Sequence, residues 1–184
     1  MTKKSPITVF VAIGIGAALF FVLGRFVAIP SPVPNTNISL QYGLLAFMAA
    51  LFGPLAGALI AFIGHALIDF SYGWGVWWSW VITSAFVGLA TGLITSKLKV
   101  DEGEFAGKDI VWFIISSVIV HFVAWGLVAP VLDILIYSEP ANKVFLQGLV
   151  SAGVNSITTA IVGTLLCVAY AHTIPKKGSL KEED

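Results

Sequence analysis

The sequence predicts an all-α fold, an integral membrane bundle of six transmembrane helices with both termini cytoplasmic, and three observations carry that prediction. The 184-residue chain is 58% apolar and 11% charged, with a mean hydropathy of +0.94, a balance that ordinary soluble domains of this size do not show. Six apolar runs are separated wherever charge, Pro or Gly clusters, and each reads as one span because lipid tolerates only backbone whose hydrogen bonds close internally. Eight of the ten Lys and Arg residues fall in segments that share one side if the chain crosses six times, and basic loops mark the cytoplasmic side. At about 20 residues per span across a core of roughly 30 Å, no room remains for a large extramembrane domain. The expectation is therefore a single membrane domain over 1–184, with 173–184 as a cytoplasmic tail.

The first span is 7–28. Its start, MTKKSPITVFVAIGIGAALFFVLG, has the charge-then-apolar order of a signal peptide, but no small-x-small cleavage site precedes a polar mature start, so it reads as a retained helix. The second and third spans, 40–52 and 54–70, are short and meet at Phe52, Gly53 and Pro54. They read as a tight helical hairpin, with Pro54 at a helix start where its missing N–H costs nothing. The fourth, fifth and sixth spans are 77–96, 110–130 and 145–172, the last long enough to project beyond the bilayer. Lys3 and Lys4, then Lys97, Lys99 and Lys108, then Lys176, Lys177 and Lys181 lie on the inner side, and only Arg25 and Lys143 fall elsewhere. The outer connections are then 30–39, 71–75 and 131–144.

Several chemistries are excluded. Ten acidic residues balance ten basic ones, which leaves no basic field for nucleic acid. A lone Cys167 builds neither a disulfide nor a thiolate metal site, and reads as a buried structural thiol. In GEFAGKD the spacing from Gly103 to Gly107 is one residue short of a phosphate loop, and Asp109 stands where Ser or Thr must ligate magnesium. Gly14, Ile15 and Gly16 lack the third glycine of a dinucleotide fingerprint. With no HExxH and no GxSxG, neither enzyme activity nor a cofactor is expected. His65, His121 and His172 are spread over three helices and set no metal site.

Polar and aromatic residues instead gather toward the outer half. Gln147, Ser151, Asn155 and Thr159 recur every four residues, a stripe along roughly 18 Å of the sixth helix that suits either interhelical hydrogen bonding or a ligand-lined cavity. His121 and Trp125 stand four apart on the fifth helix, and Tyr72, Trp74, Trp77, Trp78 and Trp80 cluster at the start of the fourth. Trp77 and Trp78 point about 100° apart, so one of them faces lipid while the inward rings suit a planar ligand. The first outer connection is stiffened by Pro30, Pro32 and Pro34 and then presents Asn35, Thr36, Asn37 and Gln41, like a lid over a cavity mouth. The candidate ligand contacts are Asn35, Asn37, Gln41, Trp77, His121, Trp125, Gln147, Ser151 and Asn155. His65 and Asp69 form another pair four apart, and a structural ion pair of Arg25 with Asp69 or Asp133 is expected, since ionisable groups in spans are costly alone. Ala12 with Gly16 and Gly14 with Ala18 are two overlapping small-xxx-small pairs on the first helix, and Gly57, Ala58 and Ala61 add small residues to the third. Such faces serve internal packing or a partner membrane helix.

With these features, and with the stretch FGPLAGALIAFIGHALIDFSYG across the second and third spans, the chain resembles the substrate-binding S components of bacterial energy-coupling factor (ECF) vitamin transporters. It looks most like the riboflavin-type or unassigned-substrate branch. The resemblance implies a multi-pass protein of the bacterial cell membrane that holds a vitamin near the outer surface, between the outer loops and helices four to six. It implies that Ala12, Gly14, Gly16 and Ala18 meet an EcfT-like membrane coupling subunit that works with two ATPase subunits, and that the S component topples to release its ligand inside. Only Arg25 and Lys143 are available to meet an anionic vitamin, so a neutral or weakly basic heteroaromatic of the riboflavin, pyridoxine or hydroxymethylpyrimidine type fits better. An autonomous secondary transporter or channel is the rival reading. It needs a coupling-ion site or a continuous polar path, and the aliphatic inner halves of the helices argue against one.

Overall fold

The computed structural model describes residues 4–73 and 75–175. Lys3, Trp74, Lys176, Lys177, Lys181 and the tail beyond 175 lie outside them. Ser5 opens the first helix, α1 (Pro6–Phe26): its hydroxyl accepts the Thr8 N–H at 3.1 Å, and Pro6 fills the first turn. A two-residue hairpin follows, β1 (Ile29–Pro30) against β2 (Asn37–Ile38), with Ile29 opposite Ile38. Helix α2 (Gln41–Phe52) ends at Gly53, whose φ of 90° turns the chain so sharply that α3 (Pro54–Tyr72) starts at the next residue. This is the helical hairpin read from Phe52, Gly53 and Pro54. Helix α4 (Trp78–Thr95) follows, and the connection 96–107 carries a Lys99–Glu104 pair at 3.2 Å. The hydrogen bond and charge of Glu104 hold the Lys99 ammonium above its usual range.

The last two helices are longer than the sequence suggested. Helix α5 runs Lys108–Tyr137 and α6 runs Ala141–Thr173, so the expected outer connection 131–144 shrinks to 138–140. Pro130 does not stop α5. A π-helical turn over Ala124–Val128 precedes it, which is one way a helix accommodates a proline that lacks an N–H and crowds the carbonyl a turn before it. Ser138, in the left-handed region at φ 55°, ends the helix instead. A second π turn, Thr159–Gly163, interrupts α6.

Helices α1, α3, α4, α5 and α6 are long and apolar enough to cross a membrane, whereas α2 has 12 residues, about 18 Å of helix, too short to cross a roughly 30 Å core by itself. It is instead sheltered, with nine of its residues buried. The antiparallel pair α3 and α4 crosses on two glycines: a Cβ on Gly57 would stand 2.6 Å from the Gly88 carbonyl oxygen. With Ala61 fully buried as well, this small-residue face serves internal packing. On α1, Ala12 and Gly16 turn inward while Gly14 and Ala18 are exposed. The expectation that all four form one outward contact is corrected: a Cβ on Gly16 would meet Ile60 Cδ1 at 2.7 Å, whereas one on Gly14 would meet nothing within 4 Å. Two apolar clusters fill the interior. One surrounds Phe20, Tyr42, Ile60 and Trp125, and the other packs Leu51, Leu98, Val100, Phe105, Phe113 and Cys167 near the 96–107 connection.

Candidate functional site

A cavity of about 570 Å³ opens at the end of the bundle that carries the β1–β2 hairpin and the 138–140 turn, within the size range of small-molecule sites. Each wall comes from a different element. The hairpin supplies Asn35, Asn37 and Ser39, α2 supplies Gln41 and Tyr42, α3 supplies His65 and Asp69, and α6 supplies Gln147, Ser151 and Asn155. Trp77, Trp80, Trp125 and Asp133 complete it. Eight of the nine candidate contacts read from the sequence therefore line one space.

The ninth, His121, does not. It is 1% exposed one turn below Trp125, with Nε2 at 2.9 Å from the Thr159 hydroxyl and its ring edge-on to Tyr42 at 5.5 Å. Thr159, the last residue of the stripe, is turned away for a physical reason. A four-residue step advances the helix by about 40° beyond a full turn, so over three steps the stripe drifts by about 120° and its end faces α5.

Asp133 organises the aromatic wall. Its Oδ1 accepts the Trp77 indole N–H at 2.7 Å and the Ser79 hydroxyl, and its Oδ2 accepts the Trp80 indole N–H at 2.8 Å. Trp77 also stacks on Tyr137 with centroids 4.0 Å apart. Trp78 points away, exposed and 6.0 Å from Phe62, as the 100° offset requires. Asp69 accepts the Trp77 backbone N–H at 2.9 Å and lies 3.7 Å from His65 Nε2. The expected pairing of Arg25 with an aspartate is not formed: Arg25 donates to the Ser71 hydroxyl at 3.0 Å and covers the Tyr72 ring at 4.1 Å. Asp133 is satisfied by the two indoles and Ser79, and Asp69 has Trp77 and His65 rather than Arg25 beside it, so this part of the reading is corrected.

His65 Nδ1 lies 2.5 Å from the Ser84 hydroxyl, which lies 2.7 Å from the Tyr42 hydroxyl. The order Ser84, His65, Asp69 imitates a nucleophile, base and orienting acid. Ser84 is fully buried and absent from the cavity wall, so a substrate in the cavity does not reach its hydroxyl. The hairpin is closed on itself and fastened to α6. Ser31 and Thr36 side chains bond each other and the Val33 carbonyl within it, and Gln147 Nε2 donates to the Pro34 carbonyl at 2.8 Å, tying the loop to α6.

Among the lining residues that the sequence reading left out of the site are Tyr42, His65, Asp69, Trp80 and Asp133. The signal for two of them was present: His65 and Asp69, spaced i, i+4 in a span, share one helix face. Nothing local in the sequence joins Asp133 to Trp80 across 53 residues.

Comparison with known proteins adds the following. A family model described as the ECF-type riboflavin transporter S component matches residues 4–172. A UPF0397 protein of Lacticaseibacillus casei (strain BL23) is 51% identical over 181 residues, covering 98% of this chain and 97% of that one. A UPF0397 protein of Exiguobacterium sp. (strain ATCC BAA-1283 / AT1b) is 54% identical, covering 94% of each chain. Among solved structures, the S component for biotin from an ECF-type ABC transporter matches with a TM-score of 0.63 at 16% identity over 94% of each chain, a likeness of fold alone.

Proposed function

The chain belongs to the family of ECF-type riboflavin transporter S components, and from that premise we propose that it is the substrate-capturing membrane subunit of an ATP-driven vitamin uptake transporter. Its ligand is a small heteroaromatic vitamin or precursor of the riboflavin, pyridoxine or hydroxymethylpyrimidine type, taken up at the outer face of the bacterial cell membrane. One observation carries this reading: a cavity with aromatic and polar walls opens at one end of the bundle, while the cluster around Leu51, Val100, Phe113 and Cys167 packs the other. A vessel open at one end suits capture. A carrier or channel acting alone needs a path through. Lys4, Lys97, Lys99 and Lys108 lie at the packed end, which favours placing that end, and with it both termini, in the cytoplasm.

The sequence has no nucleotide-binding motif, so the energy comes from partners, an EcfT-like coupling subunit and two ATPase subunits. The outward pair Gly14 and Ala18 on α1 offers them a smooth face. The test is reconstitution. In liposomes the purified chain is expected to bind vitamin without accumulating it, and to support ATP-dependent uptake only when the coupling subunit and ATPases are added. Accumulation by the chain alone, without ATP, overturns the reading in favour of an autonomous carrier.

A further inference from the structure

The polar groups that the fold leaves unpaired on the residues lining the cavity define what a ligand must bring, an inference that rests on the capture reading above. The charged wall residues are Asp69, Asp133, Glu139, Lys143 and, when protonated, His65. Lys143 is matched by Glu139 at 2.6 Å, and both oxygens of Asp133 are taken by the two indoles and Ser79. Asp69 differs. Its Oδ2 holds the Trp77 N–H, but its Oδ1 has His65 Nε2 as its ionic neighbour at 3.7 Å, beyond hydrogen-bond reach. Arg25 is engaged with Ser71 and Tyr72. Two further lining residues, only 1% and 7% exposed, carry a buried polar atom with no partner among the described residues, the Trp125 indole N–H and the Gln41 Oε1 oxygen. Buried polar groups of this kind are costly unless something pairs with them.

Asp69 Oδ1 is the open carboxylate oxygen of the wall, and Gln41 and Trp125 carry an unpaired acceptor and an unpaired donor, while the amides of Asn35, Asn37 and Asn155 and the Ser151 hydroxyl line the same space and can serve either way. We propose that the ligand is a flat nitrogen heterocycle that presents an amino or protonated nitrogen to Asp69 and an acceptor to Trp125, and that it carries no carboxylate. A carboxylate in this space would face Asp69 and Asp133 with the one lysine already neutralised. An amino or cationic N–H meets Asp69 in a charge-assisted hydrogen bond, and the aromatic wall of Trp77, Trp80 and Trp125 accepts the ring. Of the ligand types named above, this selects an aminopyrimidine or aminomethylpyridine over an isoalloxazine.

The test is calorimetric titration of the full chain in lipid nanodiscs with a panel. Hydroxymethyl-aminopyrimidine, thiamine and pyridoxamine form one group, and riboflavin, biotin and pantothenate the other. A member of the first group is expected to bind at least about tenfold more tightly than any of the second. Asp69→Asn, which keeps an acceptor for the Trp77 N–H, should weaken that binding by about tenfold with an unchanged melting temperature. Trp125→Phe, which keeps a ring and removes the donor, should weaken it by a smaller factor. If Asp69→Asn fails to fold, the panel ranking and Trp125→Phe decide. Tighter binding of riboflavin or of a carboxylate vitamin, or unchanged affinity in a folded Asp69→Asn protein, overturns this inference and leaves the capture reading standing. If nothing in the panel binds, native mass spectrometry of the purified protein decides. A co-purified heterocycle with an amino or cationic nitrogen supports the inference, one without such a nitrogen overturns it, and no ligand at all overturns the capture reading and this inference together.

Discussion

Asp133 shows how one side chain sets the shape of a site. Its carboxylate is 2% exposed and spends its acceptor capacity on two indole N–H groups and a hydroxyl from the start of α4. Truncation strands three donors, so Asp133→Ala is expected to lower stability by about 3 kcal/mol, read as a fall in the unfolding midpoint in detergent. Asn155 lines the same cavity from α6, and Asn155→Ala should weaken ligand binding by about 1–3 kcal/mol while leaving the melting temperature in place. Loss of folding with retained affinity would make it a packing residue instead. Trp77→Ala should reduce affinity whereas Trp78→Ala should not, because Trp78 faces outward against Phe62; equal losses from both would point to a general effect on the interface. Among single residues, periodicity made Gln147, Ser151 and Asn155 legible, since four-residue spacing keeps side chains near one face for two or three turns. It misplaced His121 because the period says which face a residue takes, not how deep along the helix the cavity extends.

The helices themselves were legible where chain-breaking residues coincide with chain breaks. Gly53 and Pro54 mark a real corner, and Ser5 a real cap. In the stretch VLDILIYSEPANKV the same cues misled, because Asp133 turns into the protein and only Ser138, Glu139 and Pro140 leave the helix. The π turns carried no readable signal, although both lie where another helix presses close. Gly148 allows one such approach: a Cβ there would stand 2.1 Å from the Trp125 carbonyl oxygen inside the first π turn. The same logic governs the contact between α3 and α4. Gly57→Leu drives a side chain into the Gly88 backbone, which cannot yield as a flexible side chain would, and it is expected to destabilise the protein by about 2–3 kcal/mol in a thermal or denaturant melt.

At the scale of the molecule, α1 is a peripheral helix packed on α2 and α3, and its two small-residue pairs face opposite ways, one buried and one exposed. Gly16→Leu should disrupt folding, since Ile60 and Met48 occupy the space. Ala18→Trp or Gly14→Leu should leave vitamin binding nearly unchanged and block assembly with the coupling subunit, seen as loss of co-purification and of ATP-driven uptake. Loss of binding in either outward variant would place that face inside the bundle. The lengths of the outer walls have a separate consequence. Exposed apolar residues run along α5 from Val111 to Ile136 and along α3 only from Leu55 to Phe70, about 38 Å against about 23 Å of helix. A body with such unequal sides has no single hydrophobic thickness, so a bilayer that matches one flank is mismatched at the other. The surrounding lipid must thin beside α3, or the whole protein must lean, which makes acyl-chain length a control on its tilt.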